Sequence, residues 1–405
     1  MGVFDRVKSA VLRRFSPSDT WYPESLSRDP GPTGEVLTES SALALSAVWG
    51  CVNLIAGTIA TLPFMVYRTG ENGEREVAKS HPLYRVLHDS PNFDQTAVDF
   101  WEWMSAAIEL RGDAFARVVR GDNGRVSALL PIAPALVSVK RLKNGDLEYS
   151  WTEDEKSYRV SSKDMLHIRG FGGNPLGGLS TLQFGRRAFS LAKSQEQAAL
   201  ETFRNGLRPS GVLKFSEWLS PENRQVAETK LVEKYSGAMN AGRPLILEGG
   251  SEWQQLTISP EDAQMLESRS FSVEEICRFF GVPPFMVGHT EKSTSWGTGI
   301  EQQTIGFQKF TLRRRLKRIE QAVSKQLLSA ADRAAGVTVE FNLEGLLRGD
   351  TETRAAFYTS MTQIGAMTIN DVRRLENLPP VEGGDVPRMQ MQNVPITEAG
   401  NDNPA

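Results

Sequence analysis

The sequence predicts an α+β protein of two or three folded units. Three observations lead there. The chain has 405 residues, more than one hydrophobic core of ordinary size needs. Hydrophobic residues make up 40% and charged residues 23%, the balance of a globular chain rather than a disordered one. Helical periodicity and hairpin signals fall in separate stretches, which favours segregated helices and sheets.

Residues 1–40 carry little periodicity and several turn formers, among them Pro17, Pro23, Pro30 and Pro32, and read as a flexible arm. From Ser40 to Tyr67 no residue is charged, a length that reaches across a bilayer. A membrane span and a buried amphipathic helix both stay open there, and the pattern favours the helix. Leu45, Val48, Trp49, Val52, Ile55, Ala56, Ile59 and Leu62 recur at helical spacing, while Ser46, Gly50, Asn53 and Gly57 share another face. Pro63 stops this helix before a strand at 64–68. His81-Pro82-Leu83 opens a short helix that stops near Ser90-Pro91-Asn92, and Thr96 caps a longer one carrying Phe100, Trp101, Met104, Ala107, Ile108 and Leu110.

A mostly β block follows. Strands at 114–120 and 125–130 flank Gly121-Asp122-Asn123-Gly124, strands at 136–142 and 147–151 flank Lys143-Asn144-Gly145-Asp146, and 165–169 is a further strand ending in a Gly-rich loop. Residues 179–205 read as a long helix. A small α/β unit comes next, with strands at 211–215, 245–247 and 253–256 and a helix from Pro221 to about Ala238. Ser259-Pro260-Glu261 supplies the cap, first-turn proline and acid of a helix start, and that helix runs to Phe280 before Gly281, Pro283 and Pro284. A polar loop, 285–299, leads into a long helix striped by Ile305, Leu312, Leu316, Ile319, Val323 and Leu327. A strand at 337–341 and helices at 351–364 and 369–377 complete the order, and residues after Pro380 read as disordered.

The formal net charge of −3 argues against a protein that grips nucleic acid on a broad basic surface, and leaves room for one that meets DNA briefly. Cys51 and Cys277 have no metal spacing and read as buried thiols in a reducing cytosol. Residues 1–14 lack the pattern of a secretory signal. There is no GxxxxGK[ST], no HExxH and no GxSxG, and the four histidines, His81, His88, His167 and His289, lie far apart. Gly170 to Gly173 with Gly177-Gly178 is a weak phosphate-loop pattern without the lysine such a loop needs, so a strand-to-helix connector is the plainer reading. No cofactor, no metal and no enzyme activity are expected, although a triad assembled from distant residues stays open.

Two stretches stand out as binding candidates. In the basic run, Arg313, Arg314, Lys317 and Arg318 surround Arg315 and Leu316. It reads as a phosphate-contacting surface, as the solvated flank of an amphipathic helix, or as a contact with an acidic neighbouring subunit. The loop between Pro283 and Gly299 holds Lys292, Ser293, Thr294, Ser295 and Trp296 and reads either as a contact for something that moves past or as a connector.

A resemblance organises these parts. Ser46-Ala47-Val48-Trp49-Gly50-Cys51-Val52-Asn53-Leu54-Ile55-Ala56 runs on to Leu62-Pro63, and His81-Pro82-Leu83 precedes Pro91-Asn92. Gly112-Asp113-Ala114-Phe115 and Leu130-Pro131-Ile132 follow. Glu275 to Pro284 runs on to Gly288, and Thr368-Ile369-Asn370-Asp371-Val372-Arg373-Arg374 precedes Leu378-Pro379-Pro380 and Gly383-Gly384-Asp385. In order and spacing, over about residues 40–385, the chain resembles the portal proteins of tailed bacteriophages. The likeness is to the shorter-chain branch of long-tailed phages, also found in prophages and gene-transfer agents.

The resemblance implies a portal fold with a mixed α/β wing, a two-helix stem, an inserted small α/β clip and a helical crown. The parts fall as follows: flexible arm 1–40, wing 41–178, first stem helix 179–207, clip 208–258, second stem helix 259–281, tunnel loop 282–299, wing again 300–347, crown 348–379 and disordered tail 380–405. It implies a homo-oligomeric ring, usually of twelve subunits, at one capsid vertex of the virion, assembled in the host cytoplasm. Implied partners are the terminase large subunit, head-completion or adaptor proteins, major capsid and scaffold proteins, and double-stranded DNA passing without sequence specificity; no membrane is implied. The family's ATPase is the separate terminase, which accounts for the missing phosphate loop. The competing readings are another structural virion protein (capsid or tail adaptor), a DNA-processing enzyme, and a membrane-associated protein using residues 40–67.

Overall fold

The computed structural model describes residues 20–21, 37–70, 73–204, 211–214, 220–221, 225, 252–255, 260–290, 298–343, 351–376 and 378–387. In chain order the elements begin with β1 (Thr20–Trp21), α1 (Glu39–Leu43), α2 (Ser46–Thr61), β2 (Phe64–Thr69), β3 (Arg75–Val77), α3 (Pro82–Tyr84) and α4 (Ala97–Arg111). Six strands follow: β4 (Asp113–Arg120), β5 (Val126–Ile132), β6 (Ser138–Arg141), β7 (Leu147–Glu153), β8 (Lys156–Ser161) and β9 (Met165–Arg169). Then come α5 (Thr181–Phe184), α6 (Arg186–Arg204), β10 (Gly211–Lys214), β11 (Glu252–Gln255), α7 (Pro260–Phe280) and α8 (Thr298–Gly306). The last are α9 (Arg313–Leu327), α10 (Ala330–Ala334), β12 (Val337–Phe341), α11 (Thr351–Gln363) and α12 (Ile369–Leu375). Long helices and antiparallel hairpins in separate stretches make this the expected α+β fold.

The chain divides into two compact units, the first comprising residues 1–57, 103–117 and 131–318. Its four-stranded sheet has the order β1–β6–β7–β8. Phe115, Val137, Val139, Tyr149, Trp151 and Met165 form the core packed with it. Two details depart from the sequence reading. Thr20 and Trp21, inside the expected arm, pair with Lys140 and Val139. Strand β8 was not expected, because only Tyr158 and Val160 alternate as apolar positions there. Its turn uses Asp154 and Glu155 at φ 47° and 63°, where Asn-Gly would have advertised a hairpin.

Helix α2 has 16 residues, and among the described residues no helix is long and apolar enough to cross a membrane. Val48, Cys51 and Ile55 are buried, but Trp49 is 57% exposed. It falls with exposed Ser46 and Asn53, at i−3 and i+4, rather than on the apolar stripe. The long helix expected over 179–205 comes in two pieces, α5 and α6, separated at Gly185. Helices α6 and α7 pack antiparallel. Phe189 meets Phe279 and Phe280 at ring-centroid distances of 5.6 and 6.1 Å, while Gln195, further along α6, bonds Ser268 and Ser272, earlier on α7, at 2.6 and 2.8 Å. Between them β10 and β11 pair antiparallel. The strand at 245–247 and most of the helix expected from Pro221 lie outside the described residues.

Helix α7 ends in a Schellman motif. Val282 N–H bonds the Cys277 carbonyl at 2.9 Å and Gly281 N–H the Arg278 carbonyl at 3.2 Å, with Gly281 at φ +69°. The polar loop expected next begins as a 3₁₀ turn, Pro284–Val287, closed by Gly288. Residues 307–312 form a wide π turn between α8 and α9. That turn shifts the helical phase, so Leu312, Leu316, Ile319, Val323 and Leu327 are buried while Ile305 is not.

The second unit comprises residues 58–102, 118–130 and 319–405. Strand β2 is central, paired antiparallel with β12 from Phe64↔Phe341 to Arg68↔Val337 and with β3 on its other edge. Phe64 stacks on Phe341 at 4.1 Å and meets Trp101 edge-on at 5.0 Å. Trp101 Nε1 donates to the Leu87 carbonyl at 3.1 Å, so the buried indole leaves no donor unpaired. Helices α11 and α12 are tied by Tyr358 and Arg354, which both reach Glu376. Residues 380–387, read from sequence as the start of a disordered tail, fold back. The buried Asn370 side chain donates to and accepts from the Val381 backbone at 3.1 and 2.9 Å.

Candidate functional site

The basic run resolves into parts with different jobs. Its central member, Arg315, is buried. Its Nε and Nη2 donate to the two carboxylate oxygens of Glu109 at 2.6 and 3.0 Å, and it also donates to the backbone carbonyls of Phe280 and Thr311. Thr181 Oγ1 donates to the same carboxylate at 3.0 Å. This bidentate pair joins α4, α5, α7 and the start of α9, which is structural work. Sequence reasoning passed over Glu109 as a polar position inside an apolar helix. A carboxylate flanked by Ile108 and Leu110 is the signal that marks it, since such a group requires a partner once buried.

Of the sequence-predicted residues, Arg314 and Arg318 sit one helical turn apart and line a cleft of about 490 Å³. Arg313 and Lys317 are exposed on the neighbouring face. Arg278, which the sequence did not single out, joins Arg314 and Arg318 in the cleft, with Glu275 as a carboxylate beside the paired Glu109. Burial, followed by the charges of Arg314 and Arg315, holds the Arg318 guanidinium below the ordinary arginine value, with Glu109 acting in the opposite direction. An incoming carboxylate or phosphate would relieve that repulsion. The other wall is aromatic: Phe171, Phe184 and Phe279. The Arg314 guanidinium stands 6.0 Å from the Phe171 ring centre, at the outer limit of a cation–π contact. The loop residues Lys292, Ser293, Thr294, Ser295 and Trp296 lie outside the described residues.

A second cluster looks catalytic but is sealed. His167 Nε2 bonds Asp113 Oδ1 at 2.9 Å, the Tyr149 hydroxyl reaches His167 Nδ1 at 3.2 Å, and Gly178 N–H donates to the same Asp113 oxygen at 2.9 Å. Both side chains of the His–Asp pair have zero exposure. Burial holds the His167 pKa below its ordinary value despite Asp113, and burial pushes the Tyr149 hydroxyl up to about 12. The glycines that resembled a phosphate loop serve this cluster. Gly170 N–H bonds the Gly112 carbonyl at 2.6 Å, and a Cβ on Gly112 would stand 2.5 Å from the Gly178 oxygen. Among the described residues no group of histidine, cysteine and carboxylate side chains is arranged to hold a metal ion. Cys51 and Cys277 are buried free thiols, Sγ to Sγ 3.9 Å, as the sequence suggested for their burial.

A family model described as phage portal protein matches residues 46–377. The chain belongs to the phage portal protein family. It is 39% identical over 365 residues to the portal protein of Enterobacteria phage HK97, covering 90% of this chain and 86% of that one. It is 31% identical over 366 residues to a probable portal protein of Streptomyces phage phiC31, covering 87% and 78%. Among solved structures, a chain from the virion of a native gene transfer agent particle superposes with TM-score 0.64 at 22% identity, covering 93% of this chain and 99% of that one. A chain from the neck of the native particle, computed with C12 symmetry, gives TM-score 0.63 at 21% identity, covering 93% and 100%. At those identities the likeness is one of fold. The portal family is structural rather than catalytic. In this portal-family chain, Glu109–Arg315 and Asp113–His167 therefore read as framework, and the arginine–phenylalanine cleft is an accessible surface with binding character.

Proposed function

We propose that the chain works as one subunit of a twelve-membered portal ring at a single capsid vertex, passing DNA inward during packaging and outward at ejection. The observation that carries this is the match of portal-family sequence over residues 46–377, on a fold shared with chains of a particle neck computed with C12 symmetry. A contact between two different patches, repeated by rotation, closes into such a ring. In this reading residues 179–207 and 259–281 form the stem, residues 208–258 the clip, 282–299 the tunnel loop and 348–379 the crown. The clip docks the terminase large subunit during packaging and head-completion or adaptor proteins afterwards, while capsid and scaffold proteins meet the wing. Assembly takes place in the host cytoplasm and the product resides in the virion.

The charge balance suits a conduit. A duplex carries one charge per roughly 1.7 Å, so a bore lined densely with arginine would hold it by counterion release. The net charge of −3 avoids that, and the buried pairing of Arg315 removes one cation of the basic run from the account. No catalytic step is assigned to the chain, in keeping with a family that is structural. Deleting residues 208–258 tests the reading. Variant subunits are expected to enter capsids that then contain no DNA. Packaging that survives the deletion would remove the clip assignment.

A further inference from the structure

Phe93 is 95% exposed, more than any other large hydrophobic side chain of the described residues. It is not loose. Asn92, itself buried, accepts from the Asp94 and Gln95 N–H groups at 3.0 and 2.8 Å and donates to the Leu129 carbonyl at 3.0 Å. Ser90 Oγ closes the same loop on the Asn92 and Gln95 carbonyls. The loop backbone is therefore fixed at the point where it presents a phenylalanine ring to water. An exposed aromatic on a fixed backbone is the kind of group that anchors a protein contact, because the loop's share of the ordering cost is met before binding. Asp94 stands next to it, also exposed and without an ion-pair partner among the described residues.

The cleft described above has the complementary chemistry. Phe171, Phe184 and Phe279 are 63%, 48% and 39% exposed around it, and Arg278, Arg314 and Arg318 bring positive charge that Glu275 alone does not balance. A concave space of about 490 Å³ takes a side chain and its neighbour, whereas the rod of a duplex does not enter it. We propose that Phe93 and Asp94 of one subunit seat in the cleft of the next copy, the ring against Phe171, Phe184 and Phe279 and the carboxylate against Arg314 and Arg318. Knob and socket lie on different patches of the same chain, so the contact is heterologous and propagates around a ring. This inference rests on the portal reading above and names the residues of one of its subunit contacts.

The test uses the full-length protein, with mass photometry across a concentration series and circular dichroism as the check of folding. Phe93→Ala and Asp94→Arg are each expected to raise the concentration for half-assembly about tenfold or more, as loss of an anchor does, without changing the thermal melt. Arg314→Glu with Arg318→Glu should do the same, and combining that pair with Asp94→Arg should recover part of the loss. A photo-crosslinking phenylalanine analogue at position 93 should join subunits through peptides containing residues 171, 184 or 279. Wild-type rings together with unchanged assembly of Phe93→Ala and Asp94→Arg overturn the contact while leaving the portal reading intact. Crosslinks to a different surface, or arginine variants that lose only binding to DNA or inorganic phosphate, overturn it too. A wild-type chain that forms no ring, alone or with its scaffold, overturns the portal reading and this contact with it.

Discussion

At the scale of single residues, two buried polar pairs are the most sensitive to loss of one partner. Replacing Glu109 by Ala leaves the Arg315 guanidinium buried without its fork, which costs about 3–5 kcal/mol. Chemical denaturation is expected to show that loss, whereas Arg313→Ala on the exposed face of the same basic run should change stability by no more than about 0.5 kcal/mol. Equal effects of the two would contradict the division of the run into buried and exposed members. His167 predicts a pH dependence. Burial keeps the folded imidazole below the ordinary value, while the unfolded chain takes up a proton near the ordinary pKa of about 6.5. The unfolded state then binds more protons below that pH, so this contribution is complete above about pH 6.5 and fades as the pH falls. Urea midpoints between pH 7.5 and 5.5 should decline for the wild type and decline less for His167→Gln; matching slopes would remove the argument.

At the scale of elements, the end of α7 is set by Gly281. A side chain there meets both a left-handed φ of +69° and Thr311 Oγ1 at 2.9 Å from the new Cβ. Gly281→Ala is expected to lower stability by about 1–2 kcal/mol in a thermal melt, and an unchanged melting temperature would count against the cap. The loop that follows is tested by function. Shortening residues 290–295 should leave assembly intact and reduce the length or retention of packaged DNA, and full-length retained genomes would make the loop a connector only.

Much of this level was legible in the sequence. Helix α7 begins at Pro260 and ends before Gly281-Val282-Pro283, where the proline and the glycine breaker placed its bounds, because such signals act locally. What stayed hidden needed tertiary information. Strand β8 is held by its pairing with β7 rather than by its own apolar pattern, Trp49 faces solvent from inside an uncharged stretch, and the π turn at 307–312 moves Ile305 off the buried stripe. The candidate site followed the same division. Arginine density on one helix drew attention to 313–318, but only the fold separates buried Arg315 from cleft-lining Arg314 and Arg318 and brings Arg278 to them.

At the scale of the whole molecule, family membership bears on assembly. Portal-family sequence runs through both compact units, from residue 46 to residue 377, so ring formation is a property expected of the chain as a whole. The most direct measurement is electron microscopy of the purified full-length protein, with particles classified without imposed symmetry. The account predicts closed rings, with twelve subunits around a central channel open along the ring axis. Monomers at every concentration and salt condition, with scaffold present as well as absent, or closed shells without an axial channel, would contradict it.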